Sequence, residues 1–330
     1  MYFVEIDDII RKETPSEIWH KENPGKQSRM YSNDRSIKKI ADNLYFFNFT
    51  PDFAMNNLIV LKESRYTELY PNYHDYMEIS FIYSGSTVYQ IHNKEITLSD
   101  GDIILIQKGL IHSTGYRGEN DIILNIEFKD DLFSLDFLNS FSENQKIYQF
   151  LIGNFFKIEK SEGYIVIRND QNRLLNLVLE SICTLYYKEH KINYEDVMND
   201  YFRVLFHLLF NAVAEQENSD FVEEMDEVIY KVLNYININY KTCSLEDIAE
   251  NVGYNYNYLS NLIKKKIGKS FSKIKLEYQL DRACKLICGT ELSIGEICEE
   301  CGIINQTFFY KKFNEHYGMS PSKMRAQKHV

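Results

Sequence analysis

The sequence predicts an α+β protein of several domains, in which a small N-terminal β-barrel and following helices precede an all-α C-terminal domain. Three observations carry this prediction. Short apolar runs separated by turn residues fill the stretch 78–128, and helical periodicity follows in 132–217. The last 90 residues then contain the same helix-turn-helix pattern twice. At 330 residues the chain has room for several domains with sizeable cores.

The front of the chain divides into an arm and a barrel. Residues 1–45 show no clear periodicity, and we expect an N-terminal arm that lies over the barrel. The barrel is placed at 46–131, because closely spaced short strands are typical of an antiparallel sandwich or barrel. Its strands are expected in four runs: Met77–Tyr83, Thr87–His92, Asp102–Gln107 and Asp121–Lys129.

A helical region and a linker follow the barrel. Apolar residues recur at helical spacing from Leu174 to Leu185 and from Tyr201 to Ala212, within a region that we place at 132–217. Stripes of this width usually pack on their own domain. The charged and polar run Glu215–Glu224 is typical of a linker, which we place at 218–225.

The C-terminal domain is placed at 226–330 and contains the repeat. In each copy a serine is followed three residues later by an acid, as in a capping box, and two glycines come after it. These residues are Ser244, Asp247, Gly253 and Gly268 in the first copy, and Ser293, Glu296, Gly302 and Gly318 in the second. The first glycine allows a tight turn and the second ends a helix. In such a unit the second helix, here called the reading helix, enters the DNA major groove.

The distribution of charge supports binding to DNA by this domain alone. The whole chain carries −11, whereas residues 226–330 carry +3 and residues 1–225 carry −14. Six lysines fall within 12 residues, from Lys264 to Lys275. A local basic cluster is what phosphate contact requires, whatever the charge elsewhere. We predict phosphate contacts from Lys264, Lys265 and Lys269.

The two reading helices have apolar and polar faces. Leu259, Leu262 and Ile263 are expected inward on the first, and Phe308, Phe309 and Phe313 on the second. The opposite faces carry the predicted base contacts, which are Asn257, Ser260, Asn261, Gln306, Thr307, Tyr310 and Lys311. Amide side chains suit adenine, a threonine methyl suits thymine, and no arginine is present for guanine, which favours an A·T-rich site. Alternatively, Asn257 and Asn261 are only solvated.

The segment Ser293–Arg325 (SIGEICEECGIINQTFFYKKFNEHYGMSPSKMR) resembles the signature of AraC-type (arabinose-regulator) transcription factors. In that family a long helix joins the two units, here Phe271–Cys288, and the likeness covers about 100 residues. The base-contacting positions predicted above correspond to such positions in the family. Two departures occur: Ile303–Asn305 replaces a Phe-x-Asp or Phe-x-Ser pattern, and Cys298 and Cys301 replace Ala and Val. Both keep the apolar face.

Two motifs in the barrel resemble those of the cupin fold: His74-x3-Glu78-x6-Gly85 and Gly101-Asp102-x6-Gly109-x2-His112. In the full motifs, three histidines and a glutamate bind one metal ion. Here Asn72 occupies the position of the first histidine, and Gln107 occupies the position of the usual proline. We predict that His74, Glu78 and His112 bind a small molecule, and we assign no metal. Two alternatives stay open: the same residues hold a divalent ion, or the histidines are hydrogen-bonded structural groups.

The layout of a cupin followed by paired helix-turn-helix units is usual in sugar-responsive AraC-type regulators. The resemblance therefore implies a regulator, an activator rather than a repressor, without catalytic residues or a cofactor. Its implied partners are double-stranded DNA, a small-molecule effector such as a sugar, RNA polymerase, and a second copy of the chain through a helix after the barrel.

A cytoplasmic location is expected for three reasons. The sequence shows no leader, no apolar run long enough for a bilayer, and six cysteines without paired spacings. Two other functions stay open. One is a metal-dependent cupin enzyme fused to a DNA-binding module, and the other is a regulator whose barrel only dimerises.

Overall fold

A computed structural model of the chain describes residues 2–32, 36–48, 58–129, 163–168, 172–188, 194–215 and 227–327. The described residues up to 215 belong to one compact unit, and those from 227 to 327 belong to a second. The predicted linker 218–225 lies outside the described residues. The two units are described separately below.

The N-terminal unit contains two β-sheets. Its described strands are β1 (Ile37–Ala41), β2 (Leu44–Phe47), β3 (Leu58–Lys62), β4 (Leu69–His74), β5 (Met77–Ser84), β6 (Ser86–Ile91), β7 (Lys94–Ser99), β8 (Ile103–Ile106), β9 (His112–Thr114), β10 (Ile122–Phe128) and β11 (Tyr164–Ile167). One sheet has the order β1-β2-β4-β9-β6-β7 and the other β11-β8-β5-β10-β3. Of these pairs only β2 and β4 are parallel.

The core of this unit lies between the two sheets. Tyr89 and Leu98 of the six-stranded sheet form one buried cluster with Ile82, Ile104 and Ile123 of the five-stranded sheet. Every residue of β8 and β10 is buried. Because both faces of this sheet are covered, β8 is a continuous apolar run, whereas β10 also carries Asn125 and Glu127.

Two helices cover the outer face of the five-stranded sheet. They are α3 (Arg173–Lys188) and α4 (Tyr194–Glu215), which pack against each other. The ring of Phe128 on β10 lies 4.8 Å from that of Phe202 on α4, and the Tyr187 hydroxyl of α3 donates to the Val60 carbonyl over 3.2 Å. The stripe predicted on α4 packs partly on its own domain, because Leu205 and Leu209 are buried whereas Val204 is 45% exposed. On α3 the buried side chains are Leu175, Val178, Leu179, Ile182 and Cys183, so the predicted stripe is only partly correct, since its first residue, Leu174, is 55% exposed.

The N-terminal arm is more ordered than the sequence indicates. It contains α1 (Tyr2–Arg11), α2 (Pro15–Glu22) and a 3-10 turn at Arg29–Ser32. The boundary at residue 45 is wrong, because β1 and β2 belong to the six-stranded sheet. Only the first residue of β1 is buried, so that strand has no alternation to detect. The region 132–217 likewise contains a four-residue strand, β11, too short to stand out from the helical pattern.

The C-terminal unit is helical, so the predicted α+β class is confirmed. Its described helices are α5 (Glu227–Asn239), α6 (Leu245–Val252), α7 (Tyr256–Ile267), α8 (Phe271–Gly289), α9 (Ile294–Glu300), α10 (Gln306–Tyr317) and α11 (Pro321–Gln327). Helices α6 and α7 form the first helix-turn-helix unit, α9 and α10 form the second, and α8 joins them. Among the described residues, no helix is both long and apolar enough to cross a bilayer.

Both helix-turn-helix units form as their sequence pattern predicts. The capping boxes of Ser244 with Asp247 and of Ser293 with Glu296 are present. The reading helices α7 and α10 both begin after an asparagine cap, Asn255 or Asn305, whose side chain accepts a backbone N–H. Asn305 is part of the departure from the family pattern, and its cap explains why the second unit tolerates that departure.

None of the six cysteines forms a disulfide bond. Cys298 and Cys301 are buried in the core of the second unit with Phe309 and Phe313. Burial raises the pKa of Cys301 to about 12, which favours the neutral thiol and a role in packing.

Candidate functional site

The structure brings together the three residues that the barrel motifs predict as ligand contacts. His74 ends β4, Glu78 lies in β5, and His112 begins β9, which pairs with β4. All three are buried, and one ligand atom from each lies within 4.8 Å of the others. The Nε2 atom of His74 is 3.8 Å from the nearer carboxylate oxygen of Glu78.

Both histidines use their Nδ1 atom for a hydrogen bond to a backbone carbonyl, so Nε2 is the nitrogen left for a ligand. His74 Nδ1 donates to the Tyr76 carbonyl over 2.7 Å, and His112 Nδ1 donates to the Leu110 carbonyl over 3.1 Å. Burial lowers the pKa of both rings, that of His74 to about 3, so both are neutral at neutral pH. A neutral ring that donates through Nδ1 keeps a lone pair on Nε2. Within the described residues, His74 Nε2 has no hydrogen-bond partner.

Glu78 has an internal partner that the sequence did not indicate. The Ser80 hydroxyl donates to its carboxylate over 2.8 Å. Burial, and then the charge of Glu63, raise the pKa of Glu78 to about 8, so the carboxyl group is protonated at neutral pH. Two imidazole lone pairs and a carboxyl group form a donor set that fits a divalent metal ion, and the same groups fit ligand hydroxyls.

A cavity of about 430 Å³ lies beside this trio. Glu78 lines it, whereas His74 and His112 are not among its lining residues. The arm contributes Ser28 and Met30 to its wall. The other lining side chains are mostly polar: Ser36, Ile37, Phe47, Leu61, Lys62, Glu63, Ser64, Thr67, Glu68, Leu69, Asn72, Tyr76, Arg117, Asn125 and Glu127.

A buried polar network in the cavity wall was missed by sequence reasoning. Arg117 lies 3.0 Å from the Glu63 carboxylate and also donates to the Thr114 hydroxyl. The Asn125 amide donates to the other Glu63 oxygen over 3.1 Å. Asn125 Oδ1 is buried and has no partner within the described residues. The signal was present, because Asn125 and Glu127 interrupt the apolar run of β10.

The predicted base contacts are exposed on the reading helices, except that Ser260 is half-buried. They are Asn257 and Asn261 on α7, and Gln306, Thr307, Tyr310 and Lys311 on α10. Leu259, Ile263, Phe309 and Phe313 are completely buried, as predicted.

Two of the expected inward residues differ. Leu262 is only half-buried, and Phe308 is 43% exposed, so its predicted inward position is wrong. Residue 308 lies about 100° around the helix from residue 309, which itself faces the core together with Phe313.

The lysines of the cluster Lys264–Lys275 differ in exposure and in their partners. Lys264 and Lys265 are exposed at the end of α7. Lys269 is half-buried, and its ammonium group lies 3.0 Å from the Glu277 carboxylate. Lys275 donates to the Cys243 carbonyl over 2.7 Å, so it stabilises the start of the first unit. Of the three predicted phosphate contacts, Lys264 and Lys265 are exposed and Lys269 is not.

Several known proteins are similar to this chain. The lactose operon transcription activator of Staphylococcus xylosus is 23% identical over 258 residues, which are 75% of this chain and 80% of that protein. The xylose operon regulatory protein of Escherichia coli K12 is 26% identical over 114 residues, 34% of this chain and 29% of that protein. A solved structure of ToxT from Vibrio cholerae has a TM-score of 0.35 at 17% identity and covers 81% of this chain and 97% of that chain.

Two family models match separate parts of the chain. Residues 58–151 match the AraC-like ligand binding domain, and residues 248–327 match a helix-turn-helix domain. The first match includes the trio and most of the cavity wall, and the second includes both reading helices. The chain belongs to the AraC-type transcriptional regulators, with a ligand-binding N-terminal domain and a DNA-binding C-terminal domain.

Proposed function

We propose that this chain is a cytoplasmic, sugar-responsive activator of a nearby operon, without enzymatic activity of its own. The observation that carries the proposal is the polar cavity inside the ligand-binding domain. Relatives named for lactose and xylose operons support a sugar as effector, and the first is named as an activator.

The chemistry of the cavity favours a neutral ligand with several hydroxyl groups. Glu63 is neutralised by Arg117 at 3.0 Å, and Glu78 is protonated, so neither leaves an open negative charge for a cation. The guanidinium group of Arg117 is already paired with Glu63 and bonded to Thr114, so it is poorly placed to bind an anionic ligand. Buried polar groups need partners, and Asn125 Oδ1 is an acceptor that a ligand hydroxyl would satisfy.

Within the predicted trio, Glu78 is the residue that we place in direct contact with the ligand, because it lines the cavity. His74 and His112 lie beside it with Nε2 lone pairs available. They would accept hydroxyl donors only from a ligand that reaches past Glu78. This arrangement assigns the three residues unequal roles in binding.

DNA recognition is assigned to the exposed polar faces of α7 and α10. Asn257, Asn261 and Gln306 carry amides that suit adenine, and neither helix presents an arginine for guanine. We therefore propose an A·T-rich operator, with Lys264 and Lys265 on the phosphates.

We further propose that the regulator acts as a homodimer and that, as an activator, it contacts RNA polymerase. Val197 and Val204 support the dimer, because they are exposed apolar residues seven positions apart on α4. Residues at that spacing share one face of a helix. A second copy of α4 would cover them.

The trio also favours a second candidate function, a metal-dependent cupin enzyme fused to a DNA-binding module. His74, Glu78 and His112 would hold the ion, which would act as a Lewis acid. Elemental analysis of the purified protein distinguishes the two functions. An enzyme requires one bound metal ion per chain, which should be lost in His112→Ala, whereas a sensor requires no metal for ligand binding.

A thermal-shift screen tests the proposed sensor. Neutral sugars are compared with amines and carboxylic acids of similar size, since a ligand that binds only the folded state raises its melting temperature. We expect a neutral sugar to stabilise the protein and to lose this effect in Asn125→Leu. The exposed Asp42→Asn serves as control. Stabilisation by charged compounds alone would contradict the proposal.

A further inference from the structure

Both reading helices expose a large aromatic side chain at the same register. Tyr258 is 54% exposed on α7, and Phe308 is 43% exposed on α10. The two positions are 50 residues apart, as are the caps Asn255 and Asn305. Single exposed apolar residues are common on protein surfaces. An exposed aromatic at equivalent positions of both copies is a shared feature of the two reading helices.

Helix geometry places these rings among the predicted base contacts. Residues three apart lie on one face of a helix. Tyr258 is three residues before Asn261, and Phe308 is three residues before Lys311. Both rings are therefore presented on the exposed side, away from the inward positions of each helix.

A second exposed apolar residue lies on the turn side of each ring and enlarges the exposed apolar surface. Tyr254 and Ile304 lie four residues before Tyr258 and Phe308, and they are 40% and 101% exposed. The Tyr254 ring stacks on the Tyr258 ring with centroids 5.2 Å apart and an interplanar angle of 11°. Stacking restricts the Tyr258 side chain before any partner binds, which reduces the entropy lost on binding.

The charges around the rings suit DNA as the partner. Lys264 and Lys265 are exposed on α7, and Lys311 is exposed beside Phe308 on α10. A surface that combines apolar rings, amides and lysines matches a groove with phosphate walls. The apolar group that the major groove offers to such rings is the C5-methyl of thymine.

We propose that Tyr258 and Phe308 are specificity-determining residues that pack on thymine methyl groups, one in each of the two DNA elements. This rests on the proposed reading of the operator by both helices. Each element then contains at least one thymine whose methyl is recognised. The contact selects thymine without an additional hydrogen bond, so it adds to the adenine preference of the amides.

Replacing thymine by deoxyuridine tests the proposal, because it removes the C5-methyl and keeps base pairing. The probe is a duplex selected from a random pool by the full-length protein, with thymines replaced one at a time. We expect the wild-type protein to lose about fourfold in affinity at one position in each element, the factor for one buried methyl-sized group. Phe308→Ala should bind thymine and uracil equally at its position while still discriminating in the other element, and Tyr258→Ala should behave conversely.

The control variant is Tyr116→Ala, which removes an aromatic that is 66% exposed in the N-terminal unit. It should discriminate uracil from thymine as the wild type does. Three outcomes would overturn the proposal: indifference of the wild type to every uracil, equal loss by Phe308→Ala on specific and scrambled DNA, or normal DNA binding by Phe308→Ala with loss of RNA polymerase recruitment. Failure to select any specific duplex would instead contradict DNA reading itself.

Discussion

Gly302 lies directly against the backbone of Lys241, where no larger residue fits. Its φ is +71°, and a Cβ at this position would lie 3.0 Å from the carbonyl carbon and Cα of Lys241, and closer still to the oxygen. The side-chain amide of Gln279 on α8 donates to the Tyr240 carbonyl over 3.2 Å and to the Gly302 carbonyl over 3.4 Å. The turn of the second helix-turn-helix unit is thereby joined to the segment that precedes the first.

Gly302→Ala should destabilise the C-terminal domain more than Gly253→Ala. Gly253 has a similar φ of +73° but nothing within 4 Å of its Cβ position, so it is a matched control for backbone strain alone. Strain costs about 1–2 kcal/mol at either position, and the clash adds about 1–3 kcal/mol at Gly302. Hydrogen exchange of the α10 amides measures the difference. Equal effects would show that the approach to Lys241 relaxes without cost.

Glu17 fastens the arm to the sheet domain. The fully buried carboxylate accepts from Arg65 over 2.8 Å and from Lys62 over 2.9 Å. Glu17→Gln leaves these two cations without their counter-ion and should cost about 3–5 kcal/mol. Trp19, the only tryptophan of the chain, lies on the same helix, so its fluorescence during urea unfolding reports the loss. The exposed Glu22→Gln is the control, and an equal midpoint for both variants would contradict the assignment.

The same contact should weaken in acid. Burial raises the pKa of Glu17, but hydrogen bonds from Arg65 and Lys62 outweigh it and bring the pKa down from 4.5 to about 2. A lowered folded pKa means that the stabilisation is complete above pH 4.5 and is lost as the pH falls toward 2. The difference in unfolding free energy between the wild type and Glu17→Gln should therefore shrink over this range. A constant difference would show that the carboxylate is not ionised in the folded state.

Glu78 should act in ligand binding as a neutral group at pH 7, because its pKa is raised to about 8. Glu78→Gln keeps the acceptor for Ser80 and a donor for the ligand, so it should retain most of the ligand-induced thermal shift. Glu78→Leu should abolish the shift while operator binding survives. Isothermal titration with the sugar found in the screen measures the ligand affinity of both variants. An equal loss in Glu78→Gln and Glu78→Leu would mean that the ligand requires the charge.

The two exposed lysines of α7 should carry more phosphate contact than Lys269. Each neutralised phosphate contributes about 0.9 units to the slope of log affinity against log salt. Replacing Lys264 and Lys265 together with Gln should flatten the slope by up to about 1.8 units. Lys269→Gln should change it less, because Glu277 already pairs with that ammonium group. Equal slopes per lysine would show that Lys269 leaves Glu277 on DNA.

The sequence predicted the C-terminal domain more fully than the N-terminal one for a physical reason. Capping boxes and turn glycines are local signals, and Ser244, Gly253 and their repeats act within a few residues. The network of Glu63, Arg117 and Asn125 joins residues up to 62 positions apart, which no local pattern encodes. The prediction for Phe308 was wrong because three phenylalanines lie within six residues, and the sequence alone does not show which of them face the core.

Selection of bound DNA from a random pool by the full-length protein tests the central claim that both helix-turn-helix units read one operator. Helices α7 and α10 are joined through α8, and both present polar side chains outward. We predict an A·T-rich motif of two short direct elements about 10 base pairs apart, one helical turn, with binding lost when about five base pairs are inserted between them. Enrichment of a single element, or indifference to the insertion, would contradict the claim.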